Sequence, residues 1–182
     1  FDELCGEKNN FLPPDNIQFY PRKIVATRTS PTNIGLMLIS FLAARDFGFI
    51  TSDQLCQRLK KSLDSVEKLE KYKGNLFNWY DISTFKTVEP RFVSTVDSGN
   101  FLCCLTALKE GLKEYTHECG ELADIIEKID IKNICGPYLA IEGIGYKIVR
   151  YETYYCDTCR CSIMDALGRR LEGLHRHIPE CP

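Results

Sequence analysis

Ser30-Pro31-Thr32-Asn33-Ile34-Gly35-Leu36-Met37-Leu38-Ile39-Ser40-Phe41-Leu42-Ala43-Ala44-Arg45-Asp46-Phe47-Gly48 is the stretch on which the fold turns. Serine accepts well at a helix N-cap, and proline suits the first helical position, where no backbone donor is needed. Gly48 is a natural stop after Phe47. Between these signals the apolar residues Ile34, Leu36, Met37, Leu38, Ile39, Phe41, Leu42, Ala43 and Ala44 cover nearly the whole circumference. A helix apolar all round is expected to be buried on all sides.

The following helix is different. From Ser52 to about Tyr72, Leu55, Leu59, Leu63, Val66 and Leu69 fall on one stripe, with lysines and acids elsewhere. That pattern predicts an outer helix lying on a core. The alternation then repeats. Phe101-Leu102-Cys103-Cys104-Leu105 opens an almost wholly apolar helix ending near Tyr115, and Leu122, Ile125, Ile126 and Ile129 mark a second one-sided helix. Inner, outer, inner, outer is the signature of an α/α toroid; a plain bundle would show one-sided stripes throughout. The expected fold is all-α, a partial (α/α)6 toroid. Residues 1–29 form an irregular N-terminal segment, 30–130 two helical hairpins, and 131–182 a divergent cysteine-rich end.

Residues 73–100 form a connection too long to be structureless in a compact domain. Leu76–Tyr80 and Arg91–Val96 are β-prone, and a short hairpin is expected there. The two inner helices are separated by one antiparallel outer helix, so they should point the same way. Their N-termini then share one end of the domain. Arg28, Thr29, Ser30 and Asn33 lie at one N-terminus and Asp97, Ser98 and Asn100 at the other; Trp79, Tyr80, Asp81 and Arg91 come from the connection. Helix N-termini present unpaired donors and partial positive charge. With hydroxyls, amides, a carboxylate and an aromatic pair, this face suits a polyhydroxylated ligand. Each residue also has a plainer role: Thr29, Ser30 and Asp97–Asn100 as caps or turn, Trp79 as core, Arg28 and Arg91 as partners of nearby acids.

Those segments resemble a known family. Arg28–Leu36, Ala43–Gly48, Phe77-Asn78-Trp79-Tyr80-Asp81 and Pro90–Asn100 are similar, in order and spacing, to the glucoamylase-like middle domain of cyclic β-1,2-glucan synthase. The resemblance covers about residues 10–115. It implies a toroid that binds linear β-1,2-glucan and, in the intact parent, retaining transglycosylation that closes the glucan into a ring. It also places the parent at the cytoplasmic face of the inner membrane. The family's glutamates for catalysis lie in later motifs. Near that place this chain has Tyr154-Tyr155-Cys156-Asp157-Thr158-Cys159-Arg160-Cys161-Ser162, without glutamate. No catalytic residue is assigned, and activity of the chain alone is left open.

Composition trims the alternatives. Lys+Arg 23 against Asp+Glu 25 leaves no basic footprint for nucleic acid. The longest apolar run, Ile34–Ala44, is short of the ~18 residues of a membrane span. The N-terminus Phe1-Asp2-Glu3-Leu4 has neither initiator Met nor signal core, so the chain reads as an excerpt, with the cytoplasm as the expected compartment. Ten cysteines fall below disulfide-scaffold density, and Cys103 and Cys104 read as small core hydrophobes. No cofactor is expected. A rival reading uses Cys156, Cys159, Cys161, His175, His177 and Cys181 as a zinc site in an interaction domain, although the spacing after the first Cys-x-x-Cys is poor. A third reading is a non-catalytic glucan-binding module. Exposed faces of the inner helices predict self-association of the isolated chain.

Overall fold

The computed structural model describes residues 3–129, together with the backbone of three short strands at Ala140–Ile141, Tyr146–Val149 and Thr153–Cys156. The first helix, α1, spans Pro31–Asp46. Its N-cap is Ser30, whose Oγ accepts from the Asn33 backbone N–H at 3.3 Å. It ends through Gly48 at φ 72°, a left-handed value that favours glycine.

The second helix, α2, spans Ser52–Lys68 and opens on a reciprocal capping box between Thr51 and Gln54. Its buried stripe is Leu55, Leu59, Leu63 and Val66, as the periodicity predicts. It stops four residues before the expected end. Lys71 turns back and donates through Nζ to the carbonyls of Val66, Glu67 and Leu69 at 3.1–3.2 Å, closing the helix terminus. Burial lowers the pKa of that ammonium. Lys71–Tyr72 then pairs antiparallel with Asn75–Leu76 across Lys73-Gly74, whose φ values of 49° and 83° are those of a type I′ turn. The hairpin is therefore earlier in the connection than expected.

The third helix, α3, spans Thr95–Leu112 and begins six residues before Phe101. Ser94 Oγ accepts from the Asp97 N–H at 3.1 Å, so Asp97–Asn100 occupy the first turns of a helix, not a preceding turn. The fourth helix, α4, is Glu121–Lys128.

The inner helices α1 and α3 touch closely and run parallel. Asn100 bonds Thr32, a Cβ on Gly35 would lie 2.9 Å from Cys104 Cβ, Leu42 lies against Gly111, and the Arg45 guanidinium sits over Tyr115. The partners climb both helices together. The outer helices do the same: Cys56 and Lys60 meet Glu121, and Asp64 and Glu67 meet Lys128. Two hairpins in the same orientation are the repeating unit of a toroid. The core between the layers is built on Ile34, Leu38, Leu59, Phe101, Leu105 and Leu122.

Two expectations are corrected here. Helix α1 is not buried on every side: Leu36 is 52% exposed, because α2 and α3 cover only part of its circumference among the described residues. Cys103 is exposed rather than core, whereas Cys56 and Cys119 are buried. Burial, then the neighbouring Cys119, pushes the Cys56 thiol up to about 12, so it stays protonated and donates to Glu121. No helix among the described residues is long and apolar enough to cross a membrane.

Candidate functional site

Two-residue strands flank the site. Arg28–Thr29 pairs antiparallel with Tyr80–Asp81, Arg28 opposite Asp81 and Thr29 opposite Tyr80. Strand side chains alternate between faces, so Arg28 shares a side with Asp81 and with Trp79, two residues before it, while Thr29 and Tyr80 take the other. Thr29 and Tyr80 are fully buried. On the open side the Arg28 guanidinium carbon stands 4.3 Å from the Trp79 ring centroid, a cation–π contact.

A polar network surrounds that contact. Asp15 accepts from Arg28 at 3.4 Å, from Asn33 Nδ2 at 3.1 Å and from Asn16 Nδ2 at 2.9 Å. Asn78, oriented so that its Oδ1 accepts from Trp79 Nε1–H, donates through Nδ2 to Asp97 Oδ2 at 2.9 Å. The Asn78 backbone N–H is held by the Phe92 carbonyl at 2.8 Å. Asn100 Nδ2 donates to Thr32 Oγ1 at 3.2 Å, tying the two inner helix N-termini together. The shared N-terminal end expected from topology is present.

Of the sequence candidates, the structure gathers Arg28, Asn33, Trp79, Asp97 and Asn100. It withdraws the others to structural tasks. Tyr80 is a core staple: its hydroxyl donates to the Glu70 carbonyl and accepts from the Phe77 N–H, both at 2.6 Å, and burial raises its phenol pKa. Asp81 accepts from the Ser83 and Thr84 N–H groups and the Thr84 hydroxyl, closing its own turn. Arg91 pairs with Glu70 and lies 4.7 Å from the Phe77 ring centroid. Ser30 is buried at the α1 cap, and Ser98 is buried inside α3. The hydroxyls of Thr29 and Ser98 have no hydrogen-bond partner among the described residues.

The network also recruits Asp15, Asn16 and Asn78, which the sequence patterns do not single out. Asp15 and Asn16 directly follow Pro13-Pro14 in the N-terminal segment, and no local pattern shows that Asp15 reaches Arg28 and Asn33. Asn78 was recoverable: it directly precedes Trp79 in the same connection.

The assembled face offers one aromatic surface, one cation and several amides. Both carboxylates, Asp15 and Asp97, already accept from guanidinium or amide donors, which suits orienting hydroxyls more than attacking carbon. No cluster of three or more metal-ligating side chains occurs among the described residues. Cys159, Cys161, His175, His177 and Cys181, and the side chain of Cys156, lie outside them.

The paired parallel hairpins define a class of fold first: this is part of an α/α toroid. The chain superposes on the crystal structure of a β-1,2-glucanase from Parabacteroides distasonis with TM-score 0.58 and 22% identity, over 76% of this chain and 22% of that one. A glucoamylase-like protein from Bacteroides fragilis matches with TM-score 0.56 and 19% identity, over 68% and 30%. No protein-family model matches. The particular relative is the cyclic β-(1,2)-glucan synthase NdvB of Rhizobium meliloti (strain 1021), to which the chain is 43% identical over 115 residues. That covers 63% of this chain but spans only 4% of the relative's length. The resemblance read from the four motifs therefore stands.

Proposed function

We propose that this chain holds linear β-1,2-glucan across the Arg28–Trp79–Asn78–Asp97 face, as a piece of a glucan-transglycosylating toroid. The Trp79 ring would lie against a sugar face, with its edge fixed by Asn78 and its back by Arg28. Asn33, Asn100 and the free lone pairs of Asp97 would meet sugar hydroxyls. The carrying observation is that network, placed where the two inner helices present their N-termini. The 43% identity to a cyclic β-glucan synthase supports the choice of glucan.

In the intact parent, the reaction this reading calls for is retaining transglycosylation. A carboxylate attacks the anomeric carbon as the glycosidic C–O bond breaks, and a carboxylic acid protonates the leaving oxygen. A hydroxyl of the same glucan then displaces the carboxylate and returns its proton, closing the ring. No residue described here is assigned to either carboxyl. A non-catalytic binding module is the second reading, favoured by the engagement of both Asp15 and Asp97.

Isothermal titration of linear β-1,2-glucan into the purified chain, beside an elemental metal count, tests the reading. Saturable binding that weakens on Trp79→Ala supports it. No binding, with about one zinc per chain, would replace it by the metal-stabilised interaction domain.

A further inference from the structure

The ribbon rooted at the Arg28–Trp79 contact ends in two aromatic side chains that no described residue covers. Ile17–Gln18 pairs with Ile24–Val25, and the rungs continue downward: Ala26 N–H to the Asn16 carbonyl at 3.0 Å, then Asp15 N–H to the Arg28 carbonyl at 2.8 Å. The ribbon thus leads from the residues that hold Trp79 to a tip at residues 19–23. At about 3.3 Å per residue, that tip stands roughly 13 Å from the Asp15–Arg28 pair.

At the tip Phe19 is 72% exposed and Tyr20 88%. Gln18 Nε2 donates to the Tyr20 carbonyl at 2.9 Å and steadies the bend. Asn16, Arg22 and Lys23 are exposed alongside. Two rings mixed with amides and cations differ from an apolar docking patch. They offer stacking faces beside hydrogen-bond donors, the combination a chain of sugars uses. The exposed Phe47 and Phe49 make a contrast: they lean on one another at 6.0 Å, beyond the far end of α1, with no link to the site.

We propose that Phe19 and Tyr20 form an outlying subsite for the same glucan, engaged only by chains long enough to reach from Trp79 to the ribbon tip. This rests on the glucan reading above. It predicts an affinity that rises with chain length, the increment belonging to the tip.

The test titrates linear β-1,2-gluco-oligosaccharides, from the trisaccharide to a long glucan, into the full chain, its Phe19→Ala/Tyr20→Ala variant and Trp79→Ala. Matching circular dichroism and melting curves establish that the tip variant folds. The expected result is unchanged trisaccharide binding by the tip variant and about tenfold weaker binding of the long glucan, with Trp79→Ala weakening both. Wild-type-like binding of every length by the tip variant would overturn the subsite and leave the Trp79 site standing. Absence of binding by the wild type at every length would remove the glucan reading, and the subsite with it. A dimer that the tip variant converts to monomer in sedimentation velocity, with glucan binding unchanged, would make the tip a self-contact and also overturn it.

Discussion

The two ends of the inner helix pair carry similar polar residues put to different uses. At the C-terminal end, Arg45 donates from Nε to Ser52 Oγ at 2.7 Å and from its terminal nitrogen to Glu118, which also accepts from Ser52. The same guanidinium covers the Tyr115 ring at 4.6 Å, and the Tyr115 hydroxyl donates to Asp46 at 2.6 Å. Each group answers another, and the result is a clasp joining α1, α2 and the turn before α4. At the N-terminal end, Arg28 also stacks on an aromatic ring and meets a carboxylate, but its side chain remains half exposed. A cation–aromatic pair is thus no site by itself. What distinguishes the N-terminal end is the polar capacity left over once the internal bonds are made.

The largest effect separating the ends should come from Trp79→Ala. It removes the stacking surface and leaves Arg28 and Asn78 without their aromatic partner. Titration calorimetry should show linear β-1,2-glucan binding weakened at least about thirtyfold. Arg45→Met at the clasp should lower the melting temperature and leave the glucan affinity unchanged. Equal loss of binding in both variants would mean that the two ends are not functionally distinct.

The glycines at the helix crossing give the next contrast. A Cβ at Gly35 would press on Cys104 Cβ, which is fixed to its backbone, and on the Phe101 ring at 3.3 Å. A Cβ at Gly111 would meet Leu42 Cδ2 at 2.5 Å, the far end of a side chain that can swing. Gly35→Ala should cost about 1–3 kcal/mol through overpacking. Gly111→Ala should be close to neutral, since the helix-propensity gain of ~1 kcal/mol offsets a smaller strain. Urea unfolding of the two variants checks the order; a more costly Gly111→Ala would show that Leu42 is the rigid partner.

Asn78 gives a smaller effect at the site end. It is buried and bridges Trp79 to Asp97. Asn78→Ala should cost about 1 kcal/mol, because the half-buried Trp79 and Asp97 can turn their freed groups to water. Asp97→Asn keeps an acceptor for the Asn78 amide and should cost less in the same unfolding measurement. The reverse order would place the main contribution of Asp97 in its charge at the α3 N-terminus.

How much of this was legible follows from the reach of each signal. Ser30-Pro31, Gly48 and the Leu55–Val66 stripe act within a few residues, and the helices they predict are present. Ser94-x-x-Asp97 is as local, but Gly99 and Asn100 are poor helix formers and pulled the expected start to Phe101. Packing of α3 on α1 overrides that propensity, with Asn100 reaching Thr32. Adjacency in sequence suggests that Tyr80 and Trp79 act as a pair, whereas a strand separates neighbours onto opposite faces. The pairing that makes residue 80 a strand lies some fifty positions away, at Arg28–Thr29, and no window around Tyr80 contains it. Asp15 is the same case in reverse: its role depends on Arg28 and Asn33 arriving beside it.

The smallest effect is a matter of protons. The Ser52 hydroxyl and then the Arg45 guanidinium hold the Glu118 carboxyl below its usual range. A carboxyl whose folded pKa is depressed adds stability above its unfolded value, near 4.3. That stability is lost as the pH falls through the lower folded value. Urea midpoints taken from pH 7 down to pH 3 should therefore fall more steeply in the wild type than in Glu118→Gln, which cannot titrate there. The glutamine still accepts from Ser52 and Arg45, so the two proteins should converge at the acid end of the series. Glucan affinity at neutral pH should match, because the clasp sits at the end of the inner pair opposite Trp79. An acid slope unchanged by Glu118→Gln would assign the acid sensitivity to other carboxylates, Glu121 on Lys60 first among them, since its pKa is also lowered.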